Sequence, residues 1–525
     1  MRKGKSPLIQ SLQKAFAIAR KSNQTGIPVD ELIEMERMHS INRKNFIKHT
    51  ALAGVAIGAS GLLDSCKKEE APAGGLKRDV KIGIVGAGIA GLHAAYVLKK
   101  AGYYTRVFEA SDRAGGRMFS SPGLVADGVV TEMGGEFIDS DHQDMLDLAA
   151  EFGFSLLDTQ VASETALNAY AYYFNNQAYS LTDLATVVQQ YLPVIQADID
   201  SLPDVIGYQN TAGATDLDML SITNYLDSRG ISGWFRSFIV SAYTTEYGLN
   251  ADEQSSINLL FLIGVDANNN FSIFGGSDER YKIAGGNQQI PLKLAQEVPE
   301  VNYSSALQRI RRTGTGYTLS FNGSREYFFD YVVLAIPFTI LRNIDIQVDL
   351  PTVKKKSIAE LGYGTNAKVI AGFNSRPWRD LGNTGYSFTD QPFMCGWDSS
   401  QLQAGTNGAF TFFNGGTEGK YCNNIPAPQK AQEYLTQLDK MYPGASPHFN
   451  GKSNLMHWPG YQYTLGSYAS YKVSQWTSIA GAEIETVDKL YFAGEHCSFD
   501  FQGYMNGGAE TGRRAAEAIL LKITV

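Results

Sequence analysis

An apolar run at residues 81–85 is followed at once by three closely spaced glycines. The run is short, as in a buried parallel strand. Gly86, Gly88 and Gly91 then open a segment of helical character that ends near Gly102, and residues 104–108 predict a second strand. Strand, glycine turn, helix and strand in this order are typical of the β-α-β unit of an α/β fold.

Further elements follow along the chain. Residues 332–337 and 491–495 each predict a buried strand, and residues 507–521 predict a helix. Residues 144–157 and 181–199 have a helix-like pattern, whereas 408–416 lies in a β-rich stretch. A chain of 525 residues with 44% hydrophobic residues therefore predicts a globular α/β protein of two or more domains.

The glycine turn has the spacing of a dinucleotide-binding loop. Gly86 turns the chain, Gly88 lets the backbone approach a pyrophosphate, and Gly91 permits close packing of helix on strand. The pyrophosphate then lies at the helix N-terminus. Glu109, at the end of the second strand, can accept hydrogen bonds from a ribose diol. This unit alone does not separate NAD from FAD.

The residues just past the second strand narrow the choice between NAD and FAD. Arg113, Gly115, Gly116 and Arg117 combine a second close backbone approach with two guanidinium groups that can bind phosphate. The motifs "EASDRAGGRMFS", "TEMGGEFID", "YKIAGGNQQIP", "VVLAIP", "YGTNAKV" and "KLYFAGEHCSFDFQGYMNGGAETGRRAAEAI" occur in this order between residues 80 and 521. Together they resemble the flavin-containing amine oxidases, which include monoamine, polyamine and L-amino acid oxidases.

The resemblance implies that FAD is the cofactor. It implies a Rossmann-like FAD domain of the glutathione-reductase type with an inserted α+β substrate domain. The FAD domain is expected at 80–150, 276–340 and 482–525, and the substrate domain at 151–275 and 341–481. The positions expected to contact FAD are Gly86, Gly88, Ile89, Ala90, Gly91, Glu109, Ala110, Arg113, Gly115, Gly116, Arg117, Gly134, Gly135, Glu136, Leu307, Gly494, Glu495, Gly503, Tyr504 and Met505.

Three residues match the family's catalytic positions. Lys368 matches the lysine that holds a water against flavin N5, and Tyr468 and Tyr504 match two aromatic walls that face the flavin. Ser467 stands where animal monoamine oxidases have a cysteine bonded to the flavin, so FAD is expected to be non-covalent. The implied reaction is oxidative deamination of an amine, with O2 reduced to hydrogen peroxide.

The sequence says less about the substrate than about the cofactor. Phe137 and Asp139 should border the substrate pocket, and the arginine that some amino acid oxidases carry near Phe137 is missing. Asp139 matches a carboxylate of a plant polyamine oxidase, which favours a cationic amine. An L-amino acid oxidase, a quinone-linked flavin desaturase or dehydrogenase, and a non-catalytic binding protein of the same fold are the alternatives.

The N-terminus has the features of an export signal at residues 1–65, with a linker at 66–79. Basic residues precede a weakly apolar run at 50–63 that is too short to span a bilayer. Residues 42–48 resemble a twin-arginine motif with Lys44 in place of the second arginine, so the general secretory route stays open. "LLDSC" resembles a lipobox in which Cys66 is acylated, which would make the protein a periplasmic or surface lipoprotein of a Gram-negative bacterium. Cys66 as a free cysteine after a cleaved leader, and a translation start at Met38, are the alternatives.

Composition excludes some classes of function. The formal net charge is −8, and without residues 1–65 it falls to −13, which argues against nucleic-acid binding. The acidic charge favours cationic small molecules or serves solubility. The other cysteines, Cys395, Cys422 and Cys497, are widely spaced and predict no disulfide framework, and the histidines have no metal-ligand spacing. The only membrane contact expected is the lipid at Cys66.

Overall fold

The computed structural model describes residues 18–23, 28–30, 32–33, 75–263 and 277–524. The predicted lipobox and Cys66 lie outside the described residues. Within those ranges, no helix combines the length and the apolar character that crossing a bilayer requires.

A parallel sheet of five strands forms the centre of the first layer. Its order across the sheet is Leu490–Phe492, Tyr331–Leu334, Lys77–Val85, Tyr103–Phe108 and Val301–Asn302. The central strand begins four residues before the predicted one. Its first three residues are polar and exposed, so they carry no apolar signal, although Lys77 pairs with Tyr103.

Helices cover one face of this parallel sheet and a second sheet covers the other. The helices Ile89–Lys100 and Met505–Thr524 bury Leu92 and Ile519 in one core with Ile84. On the opposite face, Phe108 stacks on Phe321 with ring centroids 4.2 Å apart. Gly83 is required there, because a Cβ would lie 2.7 Å from the Phe329 ring. The covering sheet has the order Arg325–Phe329, Gly316–Phe321, Leu307–Thr313 and Asp345–Gln347.

A larger mixed sheet belongs to the predicted substrate segments. Its seven strands have the order Phe449–His457, Ala367–Phe373, Gly408–Asn414, Cys395–Asp398, Ser387–Thr389, Ala171–Phe174 and Gln177–Tyr179. The helix Ala427–Met441 packs Leu435 and Leu438 against Phe410 and Phe412 of this seven-stranded sheet. Two short antiparallel pairs of strands join Ser120–Pro122 to Val130–Glu132 and Leu156–Asp158 to Tyr281–Ile283.

The remaining described helices lie around these sheets. They are Gln143–Glu151, Ala162–Thr165, Leu181–Asp200, Thr215–Asp218, Ile222–Ser228, Gly233–Tyr247, Ser256–Ile263, Gln289–Glu297, Phe338–Leu341, Thr352–Glu360, Pro377–Asp380, Gly416–Tyr421 and Gln475–Ser478. The helix-like segment 144–157 is a helix only to Glu151. Gly153 then takes a left-handed φ of +72° and the chain continues as a strand.

The described N-terminal residues also pack into the protein. Residues 18–23 are helical, and Ile18, Ala19, Val29 and Leu32 are buried. They belong to the same apolar core as Leu184, Phe235 and Leu260 of the helical segments. Part of the predicted export signal therefore contributes to the core.

The strands of the parallel sheet come from chain segments that are far apart. They lie at 77–108, 301–334 and 490–492. The strand Asp345–Gln347, which pairs with Leu307–Thr313, lies past residue 340, where the sequence analysis ended the second FAD segment.

Candidate active site

The first strand ends at a turn that brings backbone amides together. Gly86 has a φ of +106°, and a Cβ on it would lie 2.5 Å from the carbonyl oxygen of Ala335. The helix Ile89–Lys100 begins at Gly88 without a side-chain cap, so its first N–H groups remain available for an anion. Gly91, which the glycine spacing assigned to close packing, would place a Cβ 2.0 Å from the oxygen of Gly86, and it is not among the described residues that line the cavity.

Glu109 is held rigidly at the end of the second strand. Its Oε2 accepts a hydrogen bond from the N–H of Ala87 at 2.8 Å. Its Oε1 accepts from the N–H and the hydroxyl of Ser111 at 2.9 and 2.7 Å. These donors fix the carboxylate at the edge where the parallel strands end, where a dinucleotide ribose binds in this fold.

Arg113 presents a donor that the described protein atoms do not use. Its Nη2 donates to the carbonyl oxygen of Gly116 at 2.7 Å, while its buried Nη1 has no hydrogen-bond partner among the described residues. A Cβ on Gly116 would lie 3.3 Å from the Cα of Gly88, so both glycines keep this space open for close backbone approach. A phosphate between these groups would satisfy the guanidinium.

Arg117 and Glu495 join the two ends of the chain at the cavity. The guanidinium donates to Glu495 Oε1 at 2.8 Å and to the carbonyl oxygen of Ser467 at 2.6 Å. Glu495 Oε2 accepts from the N–H of Gly503 at 2.7 Å. The charge pair thereby fixes the segment that carries Tyr504.

These groups line a cavity of about 440 Å³. Its wall is formed both by residues next to the parallel sheet, such as Gly86, and by residues of the seven-stranded sheet, such as Lys368. The wall includes the predicted residues Gly86, Gly88, Ile89, Ala90, Glu109, Ala110, Arg113, Gly115, Gly116, Arg117, Gly134, Gly135, Glu136, Phe137, Leu307, Lys368, Tyr468, Gly494, Glu495, Gly503, Tyr504 and Met505. The open glycine space, the unsatisfied Arg113 nitrogen and the fixed Glu109 carboxylate fit a dinucleotide such as FAD.

Lys368 lies on an inner strand of the seven-stranded sheet and is only 4% exposed. Its ammonium donates to Glu136 Oε2 at 2.9 Å and to the carbonyl oxygens of Glu132 and Gly134 at 3.0 and 2.9 Å. Burial by itself would raise the pKa of Glu136, but the ammonium groups of Lys368 and then Lys282 hold that pKa below its usual value. All three N–H donors are thus engaged, so a water bound to Lys368 would have to replace one of these acceptors.

The two predicted tyrosines both line the cavity. The Tyr468 hydroxyl donates to the carbonyl oxygen of Thr245 at 3.0 Å, and the Tyr504 ring lies edge-on to His142 with centroids 4.8 Å apart. Burial raises the pKa of both phenols well above the usual value. They are therefore neutral aromatic surfaces at physiological pH.

Ser467 occupies the position at which a cysteine could have bonded the flavin covalently. Its hydroxyl donates to Oδ1 of Asn366 at 2.6 Å, and both side chains line the cavity. The described cysteines, Cys395, Cys422 and Cys497, are buried and are not among the wall residues. The wall formed by described residues offers no thiol for a covalent bond to a flavin.

Asp139 was predicted to face the substrate, but it is not among the described residues that line the cavity. Its Oδ1 accepts from the N–H of Glu279 at 2.8 Å, and its Oδ2 lies 3.3 Å from Nε2 of His142. Among the described residues, Asp139, Asp141 and His142 bring metal-type donor atoms within 4.8 Å of one another. Hydrogen bonding within the segment explains this grouping, and it carries no metal assignment.

Several wall residues were not predicted from the sequence. Glu246 and Glu279 are carboxylates, and Trp397, Phe413 and Trp458 are aromatic. Glu246 stands in the apolar helix Gly233–Tyr247, where a buried acid is a signal that could have been noticed. The others reach the cavity through long-range contacts that no local pattern shows.

The fold and the site define a dinucleotide-binding oxidoreductase. Residues 89–520 match the family model of the flavin-containing amine oxidoreductases. The chain belongs to this family, and it is an enzyme that uses FAD to oxidise amines.

Individual similarities agree with this assignment. The probable flavin-containing monoamine oxidase A of Dictyostelium discoideum is 25% identical over 466 residues, which are 84% of this chain and 97% of that protein. The L-amino acid dehydrogenase of Synechocystis sp. is 24% identical over 456 residues, or 83% and 94% of the two chains. The structure of cyclohexylamine oxidase from Brevibacterium oxydans superposes with a TM-score of 0.74 at 22% identity, covering 85% of this chain and all of that one.

Proposed function

We propose that the protein catalyses the oxidative deamination of small amines, with non-covalently bound FAD as cofactor and O2 as the final oxidant. The observation that carries the proposal is the composition of the cavity. Nucleotide-binding groups line one end, and Tyr468, Tyr504, Phe137, Trp397 and Phe413 line the other.

The residues assigned to FAD would bind it through hydrogen bonds and charge. Backbone amides after Gly86 and the Arg113 guanidinium would bind the pyrophosphate, and Glu109 would accept hydrogen bonds from the ribose. When bound, FAD supplies the acceptor for the hydrogen and electron pair that leave the α-carbon of the amine.

The protein contributes orientation and a water-poor site. Tyr468, held by Thr245, and Tyr504 present neutral ring faces between which a neutral amine can lie. The Lys368 ammonium fixes the segment from Glu132 to Glu136 against the seven-stranded sheet. The imine formed by oxidation is hydrolysed by water, so that amine, water and O2 give a carbonyl compound, ammonia and hydrogen peroxide.

The distribution of charge favours amines over α-amino acids. The cationic side chains in the described wall are Arg113, Arg117 and Lys368. The two arginines belong to the nucleotide end, and Lys368 is paired with Glu136. None is left in the described wall to bind a substrate carboxylate, which an L-amino acid oxidase requires.

A panel of substrates tests this function. The purified holoenzyme, made anaerobic, should lose its yellow colour with amines but not with L-amino acids. In air, an oxygen electrode should record O2 uptake and a peroxidase assay should find one hydrogen peroxide per imine. Bleaching by amines without O2 uptake would instead indicate a quinone-linked dehydrogenase, and bleaching by amino acids alone would contradict the proposal.

We also propose that the chain is exported and anchored by a lipid on Cys66. The basic segment with Arg43 and Lys44, the short apolar run and "LLDSC" support this location. Cleavage before Cys66 would also remove the buried side chains of Ile18 and Leu32 from the core, so the mature protein would have to keep its fold without them.

A further inference from the structure

A histidine and an aspartate lie directly behind one aromatic residue of the cavity wall. His142 is fully buried, Asp139 is 1% exposed, and neither is among the described residues that line the cavity. The His142 ring lies edge-on to the ring of Tyr504, which does line the cavity, with centroids 4.8 Å apart and planes inclined by 68°. The proposed deamination does not use this buried polar pair.

The contacts between Asp139 and His142 fix the protonation of the neutral imidazole ring. The backbone N–H of Asp139 donates to Nδ1 of His142 at 3.0 Å, so Nδ1 is an acceptor and the ring proton resides on Nε2. Nε2 lies 3.3 Å from Oδ2 of Asp139, where its N–H is attracted to the carboxylate. The aspartate thus contacts both ring nitrogens, which favours one tautomer and one orientation of the ring.

Asp139 and His142 also connect chain segments that meet at the substrate end. Oδ1 of Asp139 accepts from the N–H of Glu279, another residue of the cavity wall, at 2.8 Å. The His142 ring lies edge-on to Phe501 as well as to Tyr504, with centroids 5.4 Å apart for Phe501. The N–H of Tyr504 donates to the carbonyl oxygen of Phe501 at 3.1 Å, so the imidazole ring contacts both ends of this turn.

An imidazole ring of fixed orientation restricts the aromatic ring that packs against it. Edge-to-face contact is an arrangement that aromatic rings prefer, and His142 makes it with Tyr504. An apolar side chain could fill the same volume without the cost of burying a carboxylate, but nothing would fix its angle. The angle matters because the amine has to lie between Tyr504 and Tyr468, and a misplacement of about 1 Å can cost about 100-fold in rate.

Taking the proposed deamination as given, we infer that His142 is a positioning residue for the oxidation of the amine. Asp139 holds the imidazole ring, and the imidazole ring holds Tyr504 at the angle that places the amine against the cofactor. Asp139, which the sequence placed beside the substrate, therefore acts through His142. The same carboxylate holds the backbone of Glu279, so two parts of the cavity wall depend on it.

The experiment measures flavin reduction by an amine in the anaerobic holoenzyme with stopped-flow absorbance. His142→Phe keeps a ring but loses both contacts with Asp139, and the limiting rate of reduction should fall by about 10-fold or more while the Kd for FAD changes by less than about 3-fold. Asp139→Asn should act similarly, because either orientation of the amide places its NH2 group against an N–H, that of Glu279 or that of His142. His93→Phe, at a buried histidine bonded to Ala509, is the matched control and should leave the rate unchanged.

A double-mutant cycle separates positioning of Tyr504 from a general structural role. In a Tyr504→Ala background, His142→Phe should lower the rate by less than about 2-fold, because the ring that it positions is gone. The visible circular dichroism of the bound flavin, which reports the rings around it, should change in His142→Phe and stay as in the wild type in His93→Phe.

Two results would overturn the inference. One is an unchanged rate of reduction and an unchanged flavin spectrum in His142→Phe or in Asp139→Asn, whichever of the two folds. The other is an equal loss of rate with and without the Tyr504 ring. A wild-type enzyme that no amine bleaches defeats the proposed function, whereas the flavin spectra of the variants still test whether His142 positions the wall.

Discussion

The ammonium of Lys368 lies 2.9 Å from Oε2 of Glu136, and both side chains are buried. Lys368 belongs to the seven-stranded sheet, and Glu136 follows the Gly134–Gly135 pair at the cofactor end of the cavity. This buried ion pair, with the two further bonds to carbonyl oxygens, joins the two halves of the active site.

Lys368→Met should therefore affect both stability and oxygen chemistry. Loss of one partner of a buried ion pair costs about 3–5 kcal/mol. Among the described residues, Glu136 would keep only the ammonium of Lys282, at 3.4 Å. We expect a lower melting temperature, retained FAD and slower reoxidation of the reduced enzyme by O2, measured by stopped-flow absorbance. Lys282→Met is the matched control and should lose stability without slowing reoxidation. Unchanged oxygen kinetics in Lys368→Met would show that this lysine has no part in that step.

FAD should be released completely by acid precipitation. Ser467 has a hydroxyl where a thioether would need a thiol, and it is hydrogen-bonded to Asn366. After precipitation and centrifugation, all flavin absorbance is expected in the supernatant. A yellow pellet that withstands washing would contradict this expectation.

Gly88→Ala should weaken FAD binding without unfolding the protein. Gly88 has a φ of −76°, and the nearest protein atom to an added Cβ is 4.0 Å away, so alanine fits the fold. The methyl group would occupy the space in which the backbone approaches the pyrophosphate. We expect the Kd for FAD, measured by flavin fluorescence, to rise by about 10-fold or more. Gly75→Ala, with no atom within 4 Å, is the control and should bind FAD normally.

His496 should make the fold sensitive to mild acid. Burial lowers its pKa to about 4, and neither ring nitrogen has a hydrogen-bond partner among the described residues. An unfolded histidine has a pKa of about 6.5, so between about pH 6.5 and about pH 4 the unfolded state binds the extra proton. Stability should fall by about 3 kcal/mol as the pH drops through this window.

Urea unfolding at about pH 7 and about pH 5 measures this effect. In His496→Leu the difference in the free energy of unfolding between the two pH values should shrink, because the titrating group is gone. His448→Leu, which removes an exposed histidine, serves as the control and should retain the wild-type difference. If His496→Leu keeps the same acid sensitivity, another group is responsible.

Cys66→Ala should release the protein from the membrane fraction while its FAD content is unchanged. The lipid on Cys66 is the anchor that the sequence predicts, and the cofactor residues lie well beyond it. Cell fractionation with an immunoblot measures the location, and intact mass spectrometry of the wild type identifies its first residue. A variant that stays in the membrane fraction would indicate a different attachment.

Local patterns selected residues for the cofactor end of the site that the structure brings together in one cavity wall. Glycine spacing, a strand-terminal acid and paired arginines are short-range signals, and the structure places Gly88, Glu109 and Arg113 in one cavity wall. The family motifs likewise brought Lys368 and the two tyrosines to that wall. The glycine spacing and the strand-terminal acid are short-range signals, whereas Lys368 and Tyr468 are held by residues more than 200 positions away and were found only through the family motifs.

The substrate end could not be predicted in the same way. Asp139 and Glu279 are 140 residues apart, and only the folded structure shows that Glu279 lines the cavity while Asp139 accepts a hydrogen bond from its N–H. Glu246 comes from a third segment, the helix Gly233–Tyr247, where an acid among apolar residues is a local signal, but nothing local shows that it lines the cavity. Which acid lines the cavity depends on tertiary contacts, which no local pattern in the sequence shows.

The parallel sheet combines strands from the beginning and the end of the described chain, so the cofactor site needs both. The strand Leu490–Phe492 pairs beside Tyr331–Leu334, and the helix Met505–Thr524 packs on Ile89–Lys100, the first helix of the cofactor domain. During synthesis the glycine turn emerges about 400 residues before Glu495, Gly503 and Tyr504. A nascent chain that carries only the glycine turn therefore holds an incomplete site, and we expect FAD to bind only after the segment with Tyr504 has been added.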